Sequence, residues 1–290
     1  MTELETQQHS TALDEQDPLS AVLLEELEGP YMFVDVGARW GPEGSWRALS
    51  PPVQIVAFEP DEAECRRLAD AETGQVRYEP VALGATSGPA TLYITRDPAC
   101  SSLYPPDERA IAAHPQLSVA TLVSTQTVQL RPLDAWCANE RLKVDALKLD
   151  VQGAELDVLR GAEEQLRHIV MIEAEVVFNP MYRDQPLFSD VDRFLRARGF
   201  VLWRLRQLVH YGNARLDSTT LVDDAQFFDS RPVPIAAGGG QLYWANAYYV
   251  AIDVLRDRSG DRRRRAAIAA AAFGYPELAN MLGSRSGGVR

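Results

Sequence analysis

From Tyr31 onward, short apolar runs rich in β-branched residues alternate with helical stretches, and this alternation constrains the fold most tightly. Tyr31–Val36 (YMFVDV), Val53–Phe58 (VQIVAF), Val76–Leu83, Val144–Leu149 (VDALKL) and Ile169–Val177 (IVMIEAEVV) are strand candidates. Continuous apolar runs of this length suit parallel strands covered on both faces. Between them, Asp61–Asp70 opens with an acidic turn, and Ala154–Arg167 sets Leu156, Leu159 and Leu166 on one side. Ser189–Arg198 turns Val191, Phe194 and Leu195 inward, with Ser189 and Asp190 as candidate caps. Strands alternating with helices predict a doubly wound α/β sheet with helices on both faces. Right-handed crossovers then put a ligand crevice at the carboxyl ends of the strands.

The alternation breaks between Ala90 and Leu130. There Thr91–Thr95 and Thr125–Leu130 read as extra strands around a long loop containing Cys100, Ser101, Ser102 and Leu103. Loops of this length serve as lids or binding loops, or are disordered insertions. Phe200–Leu205 and Leu242–Ile252 read as paired, antiparallel strands ending the sheet, with a loop holding Gly238, Gly239 and Gly240 between them. Beyond Asp253, helices are expected at Arg265–Ala272 and Pro276–Leu282. The expected organisation is a polar lead-in with a short helix (1–29), one α/β domain (30–253) and a basic helical tail (254–290).

Composition removes several classes of function. No run of eighteen apolar residues occurs, so no membrane span is expected, and Met1–Pro18 lacks the apolar segment of a secretory signal. Three scattered cysteines, Cys65, Cys100 and Cys137, suit a reduced compartment and match no zinc spacing; a cytoplasmic protein is expected. A net charge of −12 argues against nucleic acid as a partner. Arg262–Arg265 is expected to be a solvated helix face rather than a partner site. His114, His168 and His210 show no ligand spacing, and no metal is expected.

Three strand ends carry the chemistry. After the first strand comes Asp35-Val36-Gly37-Ala38-Arg39-Trp40-Gly41. Gly37 and Gly41 allow a tight turn that approaches a ligand closely, and Asp35 offers a carboxylate. Only two glycines of a dinucleotide fingerprint are present. The second strand ends in Phe58-Glu59-Pro60, where an acid can accept from both ribose hydroxyls and Phe58 or Pro60 can flank a base. Taken alone, Glu59 could equally be a helix-cap acid; beside the glycine turn the nucleoside reading is the better one. The fourth strand closes in Lys148-Leu149-Asp150-Val151-Gln152-Gly153-Ala154-Glu155, bringing Asp150, Gln152 and Glu155 to the same edge. On the fifth strand Glu173 and Glu175 share a face, and a buried strand acid is costly unless paired or functional. Pairing with a nearby arginine is the plain alternative.

These words together resemble the FkbM-type S-adenosylmethionine-dependent methyltransferases: DVGARWG at Asp35–Gly41, FEP at Phe58–Pro60, LKLDVQGAELDVLRGAE at Leu147–Glu163, and the run Ile172–Phe200. Ser101-Ser102-Leu103 is similar to a serine motif in that family's inserted loop, and the resemblance spans Tyr31 to Ile252. It implies a Rossmann-like class I methyltransferase sheet of seven strands, the last antiparallel. The implied cofactor is S-adenosylmethionine, and the implied reaction is methyl transfer to a hydroxyl on a sugar or secondary metabolite. By the same resemblance Asp35, Gly37 and Gly41 hold the cofactor's amino-acid part, Glu59 its ribose, and Ala82 lies near its adenine. Asp150 would face both sulfonium and acceptor. Arg39 stands where the family usually has asparagine, and Asn246 where many members have aspartate.

In-line methyl transfer gains most from positioning, and a hydroxyl nucleophile also gains from a base. Asp150 is expected to orient acceptor and cofactor, with Glu173 or Glu175 as the base, provided burial raises its pKa. The loop 97–120 and the segment 179–188 are expected to wall the acceptor pocket, with Ser101, Ser102, Tyr104, Tyr182 and Arg183 suiting a polar small molecule. The expected partner is thus a small hydroxyl acceptor, with a homo-oligomer through the tail as a further option. The rival functions are a cofactor-binding scaffold without catalysis and, with less support from the glycine pattern, a nicotinamide dehydrogenase.

Overall fold

The computed structural model describes residues 18–49, 52–212, 221–228, 231–236, 240–256 and 260–284. The lead-in before Pro18 and the glycines Gly238 and Gly239 therefore lie outside the described residues. The chain begins with α1 (Pro18–Glu25), β1 (Tyr31–Val36), α2 (Gly44–Arg47), β2 (Val53–Phe58), α3 (Glu62–Ala71) and β3 (Val76–Glu79). Asp61 starts α3 by accepting from the backbone N–H groups of Ala63 and Glu64, two donors a helix start leaves without partners.

The third strand is shorter than the apolar run Val76–Leu83 predicts. Pro80 has no N–H to give to a ladder, and Val81 N–H turns back onto the Glu79 carbonyl at 2.8 Å. The chain then forms β4 (Ala82–Leu83), β5 (Gly88–Thr95) and β6 (Leu122–Arg131), a separate sheet in the order β4-β6-β5. Between β5 and β6 the expected open loop instead holds α4 (Glu108–Ala113) and two 3₁₀ turns, with Leu117 fully buried.

Next come α5 (Leu133–Glu140), β7 (Ala146–Leu149), α6 (Glu155–Arg160), β8 (Met171–Val177) and α7 (Phe188–Ala197). The expected helix 154–167 stops at Arg160. Gly161 packs so tightly on Gly84 that a Cβ there would sit 2.1 Å from the Gly84 carbonyl oxygen. Only a 3₁₀ turn at Gln165–Arg167 continues the helical pattern.

The chain closes with β9 (Phe200–Tyr211), β10 (Leu221–Phe228), β11 (Arg231–Ala236), β12 (Gln241–Ala251), α8 (Ile252–Arg256), α9 (Asp261–Ala272) and α10 (Pro276–Gly283). Thus β9 runs beyond Leu205, and the stretch read as loop contains the antiparallel β10–β11 hairpin. The main sheet has seven strands in the order β3-β2-β1-β7-β8-β12-β9. β12 is antiparallel to both neighbours, while the pairings among β3, β2, β1, β7 and β8 are parallel. This is the class I methyltransferase sheet, a doubly wound Rossmann-like fold. Because the chain departs from β1 first toward β3 and later toward β9, the strand order reverses at β1/β7, and a crevice opens beyond their carboxyl ends.

One core holds the sheet and both ends of the described chain. Leu23 and Leu24 of α1, Ala266–Ala270 of α9, Phe273, and Leu278 and Leu282 of α10 all join it. The arginines 262–265 are not a solvated face. Arg262 donates to the carbonyls of His168 and Ile169, and Arg263 to those of Val254, Met281 and Leu282. Arg264 pairs with Glu26, and Arg265 with Asp145 and Asp261 while donating to the Glu28 and Pro30 carbonyls. Long aliphatic stems let the guanidinium heads reach carbonyls at the ends of neighbouring elements. Ile268 and Phe273 of the tail are 0% and 3% exposed and pack into this chain's own core. No helix among the described residues is long and apolar enough to cross a membrane. The three cysteines are buried, and none forms a disulfide among the described residues.

Candidate active site

Beyond the carboxyl ends of β1, β2 and β7 lies a cavity of about 360 Å³, lined by Val36, Gly37, Arg39, Phe58, Glu59, Pro60, Asp61, Val81, Ala82, Leu83, Asp150, Val151 and Gln152. Leu92, Ile94, Ser124 and Gln126 of the β5–β6 ribbon and Ser101–Leu103 form the opposite wall. Sequence candidates Gly37, Phe58, Glu59, Pro60, Ala82, Ser101, Ser102, Asp150 and Gln152 thus converge here. Asp35, Gly41, Glu173 and Glu175 do not line it.

Gly37 makes the approach of β1 to β7 possible. Its φ is +85°, and a Cβ would lie 1.8 Å from the Asp150 carbonyl oxygen. Its N–H and that of Ala38 both donate to the Phe58 carbonyl at 3.0 Å, binding the turn to the end of β2. Gly41, at φ +77°, closes the same turn through its N–H to Ala38. Glu59 is held by the Asp61 N–H, which donates to Oε1 at 2.8 Å; burial raises its pKa above the ordinary value. Arg39 reaches across to Asp61 at 3.4 Å and ties the first turn to the second.

Asp150 sits in a knot tied by Gln152, a residue at φ +54° whose side-chain amide donates to Asp150 at 2.9 Å and to Glu175 at 3.2 Å. The Gln152 carbonyl accepts from the Ser102 hydroxyl at 2.6 Å, and its side-chain oxygen from Tyr182 at 3.2 Å. Ser102 and Gln152 therefore join the inserted segment to the β7 turn. Glu155 supports the turn from below, accepting from the N–H groups of Val151 and Gly153, with burial pushing its carboxyl up to about 7. Of the residues expected to face an acceptor, Tyr104 is committed to Asp157 and Tyr182 is fully buried with its hydroxyl on the Cys100 carbonyl. Arg183 is exposed, and the segment 179–188 does not line the cavity.

One level below the cavity runs a polar row. Asp35, Lys148, Glu173 and Tyr248 are successive register partners on β1, β7, β8 and β12. Lys148 Nζ lies 3.2 Å from Asp35 Oδ1. Burial opposes the charge on Lys148, but Asp35, Asp150, Glu173 and Glu43 together more than offset it and raise its pKa. Burial pushes the Glu173 carboxyl up to about 8 against the pull of Lys148. Asn246 donates to Glu173 Oε1 at 3.1 Å, and the Tyr248 hydroxyl donates to the same carboxyl, in place of the arginine that was the plain alternative. Among the described residues no group of three or more His, Cys, Asp or Glu side chains could hold a metal ion.

Lys148 and Tyr248 were not singled out by sequence reasoning as site residues. Lys148 had a signal: a cation inside the apolar run VDALKL needs a carboxylate on a neighbouring strand. Gln152 was placed at the right strand edge by the sequence, but its left-handed backbone, which aims the side-chain amide at Asp150, leaves no mark in composition.

Residues 35–202, more than half of the chain, match the family model described as the methyltransferase FkbM domain. The 2-O-methyltransferase NoeI of Sinorhizobium fredii (strain NBRC 101917 / NGR234) is 26% identical over 169 residues, which cover 56% of this chain and 70% of that protein. Among solved structures, magnesium protoporphyrin IX methyltransferase of Synechocystis PCC 6803 with bound SAM superposes with a TM-score of 0.33 at 11% identity, covering 82% of this chain and 79% of that one. The 1,6-didemethyltoxoflavin-N1-methyltransferase of Burkholderia thailandensis gives a TM-score of 0.34 at 12% identity, covering 81% and 77%. Superpositions this loose carry no argument, and the topology rests on the strand order itself.

Proposed function

This chain belongs to the FkbM methyltransferase family, and from that membership we propose that it methylates a hydroxyl oxygen of a small molecule such as a sugar or secondary metabolite. The cofactor is S-adenosylmethionine, which supplies an electrophilic methyl group on a sulfonium. The observation that carries the reading is the convergence of Gly37, Glu59 and Asp150 on one cavity beside a buried lysine–carboxylate row. The 2-O-methyltransferase among the relatives supports oxygen as the target atom.

The residues present fit the cofactor. A glycine whose Cβ position is already filled by backbone leaves a turn that only glycine can make, and Glu59 brings a buried carboxylate to the cavity wall. Glu59 would take the ribose hydroxyls, while Pro60 and Ala82 would flank the adenine. Gly37 and Gly41 would shape the turn around the amino-acid end. Asp150, held by Gln152, would orient the acceptor hydroxyl; with positioning as the main source of acceleration, a carboxylate fixed by its neighbour's amide is suited to that task. Glu173 is the base in this reading, ahead of Glu175, because a carboxyl raised to about 8 retains a proton taken from a hydroxyl better than an ordinary one does.

Calorimetric titration of the purified chain with S-adenosylhomocysteine, repeated on Glu59→Ala, tests the donor site. Loss of hydrogen bonds to a charged group weakens affinity by about 10- to 100-fold. Binding without transfer from S-adenosylmethionine to any hydroxyl compound would leave a binding protein on the same fold.

A further inference from the structure

A second cavity, of about 500 Å³, lies between α6, α7 and the turn at 184–186. Leu156 and Arg160 of α6 line it, as do Asp190, Arg193 and Phe194 of α7. Tyr104 reaches it from the inserted segment. No residue lines both this groove and the donor cavity, but the two share a wall. Leu103 and Gln152 line the donor cavity, while the next residue after the first, Tyr104, lines the groove. The next residue after the second, Gly153, packs on Gln185 of the groove, whose amide nitrogen lies 3.1 Å from where a Gly153 Cβ would sit.

Gln185 shows that the groove lacks a partner. It is 7% exposed, and its Oε1 accepts from the N–H groups of Met181 and Tyr182 at 2.8 and 2.6 Å. Those two bonds fix the direction of the amide, so its nitrogen faces away from them, and it has no partner among the described residues. A buried amide N–H group is nearly always satisfied. The charges narrow the chemistry of what satisfies it. Arg160 pairs with Asp157, Arg193 with Asp190 and Arg198 with Glu163, while Asp184 has no ion pair among the described residues. With every cation matched by a carboxylate, the groove has no surplus positive field for a phosphate or other polyanion. It presents instead planar side chains that both donate and accept, beside the rings of Tyr104 and Phe194.

We propose that this groove is a binding site for a neutral saccharide, distinct from the donor cavity. Adjacent sugar hydroxyls each donate and accept, which matches the paired atoms of an amide, a carboxylate or a guanidinium, and the C–H faces of the ring lie against aromatic side chains. Gln185 Nε2 donates to one sugar oxygen, Asp184 accepts from a hydroxyl, and Arg193, whose side chain is 81% exposed, donates to a neighbouring oxygen. Tyr104 and Phe194 take the C–H face. The volume is within the range of small-ligand sites. Saccharide binding here stands without the methyltransferase reading. Its use in transfer rests on that reading: the shared wall separates this sugar from the cofactor, so it is a docking unit and not the ring that is methylated.

The test is retention of the fluorescently labelled full chain on an array printed with neutral and acidic oligosaccharides, followed by titration of the best-retained neutral glycan. Neutral glycans are expected to be retained ahead of uronate-bearing or sulfated ones. Asp184→Gly removes the carboxylate at a backbone position, φ +60°, that glycine adopts freely. Arg193→Ala removes a guanidinium from an exposed ion pair. Gln185→Glu keeps the oxygen that accepts from Met181 and Tyr182 but replaces the amide donors. Each change should weaken the titrated glycan at least fivefold, while S-adenosylhomocysteine affinity stays within twofold in Asp184→Gly and Arg193→Ala. No glycan retained by the wild type, retention of acidic glycans alone, or equal glycan affinity in the wild type and both of these surface variants overturns the inference and leaves the donor reading intact. Failure of S-adenosylhomocysteine to bind the wild type overturns the donor reading and the docking role, while glycan retention still decides the saccharide site.

Discussion

Gly37 shows how much of a site can depend on one missing atom. Its positive φ costs a β-carbon-bearing residue roughly 1–2 kcal/mol before any contact is counted. Here the added carbon would also strike the Asp150 carbonyl, so the end of β7 would have to move. Gly37→Ala is therefore expected to abolish S-adenosylhomocysteine binding in calorimetry and to lower the melting temperature. Binding retained within tenfold would show that the turn does not touch the cofactor. Residues of this kind were legible in the sequence because topology alone brings strand ends together: Gly37, Glu59, Pro60, Ala82 and Asp150 all follow or close apolar runs, and all reach one cavity. Asp35 and Glu173 were legible as acids in apolar runs, but their depth below the cavity depends on register, which the sequence does not print. Gln152 and Arg39 were visible as positions, but their roles were not. Their importance lies in the geometry of the contacts they make, with Asp150 and Glu175 in one case and Asp61 in the other.

Among elements, the helical tail departs furthest from its sequence reading. Four consecutive arginines look like a solvated face when charge alone is counted, and alanines give α9 little amphipathic contrast. The structure uses the alanines for close packing on the sheet and the arginines as ties to backbone carbonyls, partners that no side-chain pattern announces. Arg265 is the most enclosed of these ties, with Asp145 opposite; the two side chains are 13% and 9% exposed. Breaking such a pair leaves a buried carboxylate with its cation gone, a loss of about 3 kcal/mol. Arg265→Ala should lower the urea midpoint accordingly without altering the slope. A change within about 0.5 kcal/mol would mean that the Met32 N–H alone satisfies Asp145. For the same reason, truncation after Asp253 is expected to yield an unfolded or aggregating chain, since it would bare the apolar sheet face under Ala266–Ala270 and Phe273. A truncated chain with native near-ultraviolet circular dichroism would show the tail to be an accessory.

At the scale of the whole molecule, stability and activity should respond to pH in opposite directions. Burial pushes Glu173 from 4.5 up to about 8 and Glu155 from 4.5 up to about 7, and it raises Asp35 as well. Each group therefore binds its proton more tightly folded than unfolded, so between about 4.5 and 8 the native state carries more protons. Stability from this source is fully present below the unfolded pKa and is lost as pH rises through the folded one. Thermal unfolding followed from pH 5 to pH 9 should show a falling melting temperature, steepest below about 7, where both carboxyls hold a proton only in the folded state, and shallower from there to about 8. Glu173→Gln cannot ionise and should flatten the upper part of that fall. Turnover has the reverse requirement, because a base must be ionised to accept a proton: kcat should climb through an apparent pKa near 8 in the wild type. In Glu173→Gln the residual rate should be low and without that limb. A variant that keeps the limb while its melting profile flattens would separate the two roles, assigning Glu173 to the fold's proton balance and the base to another group.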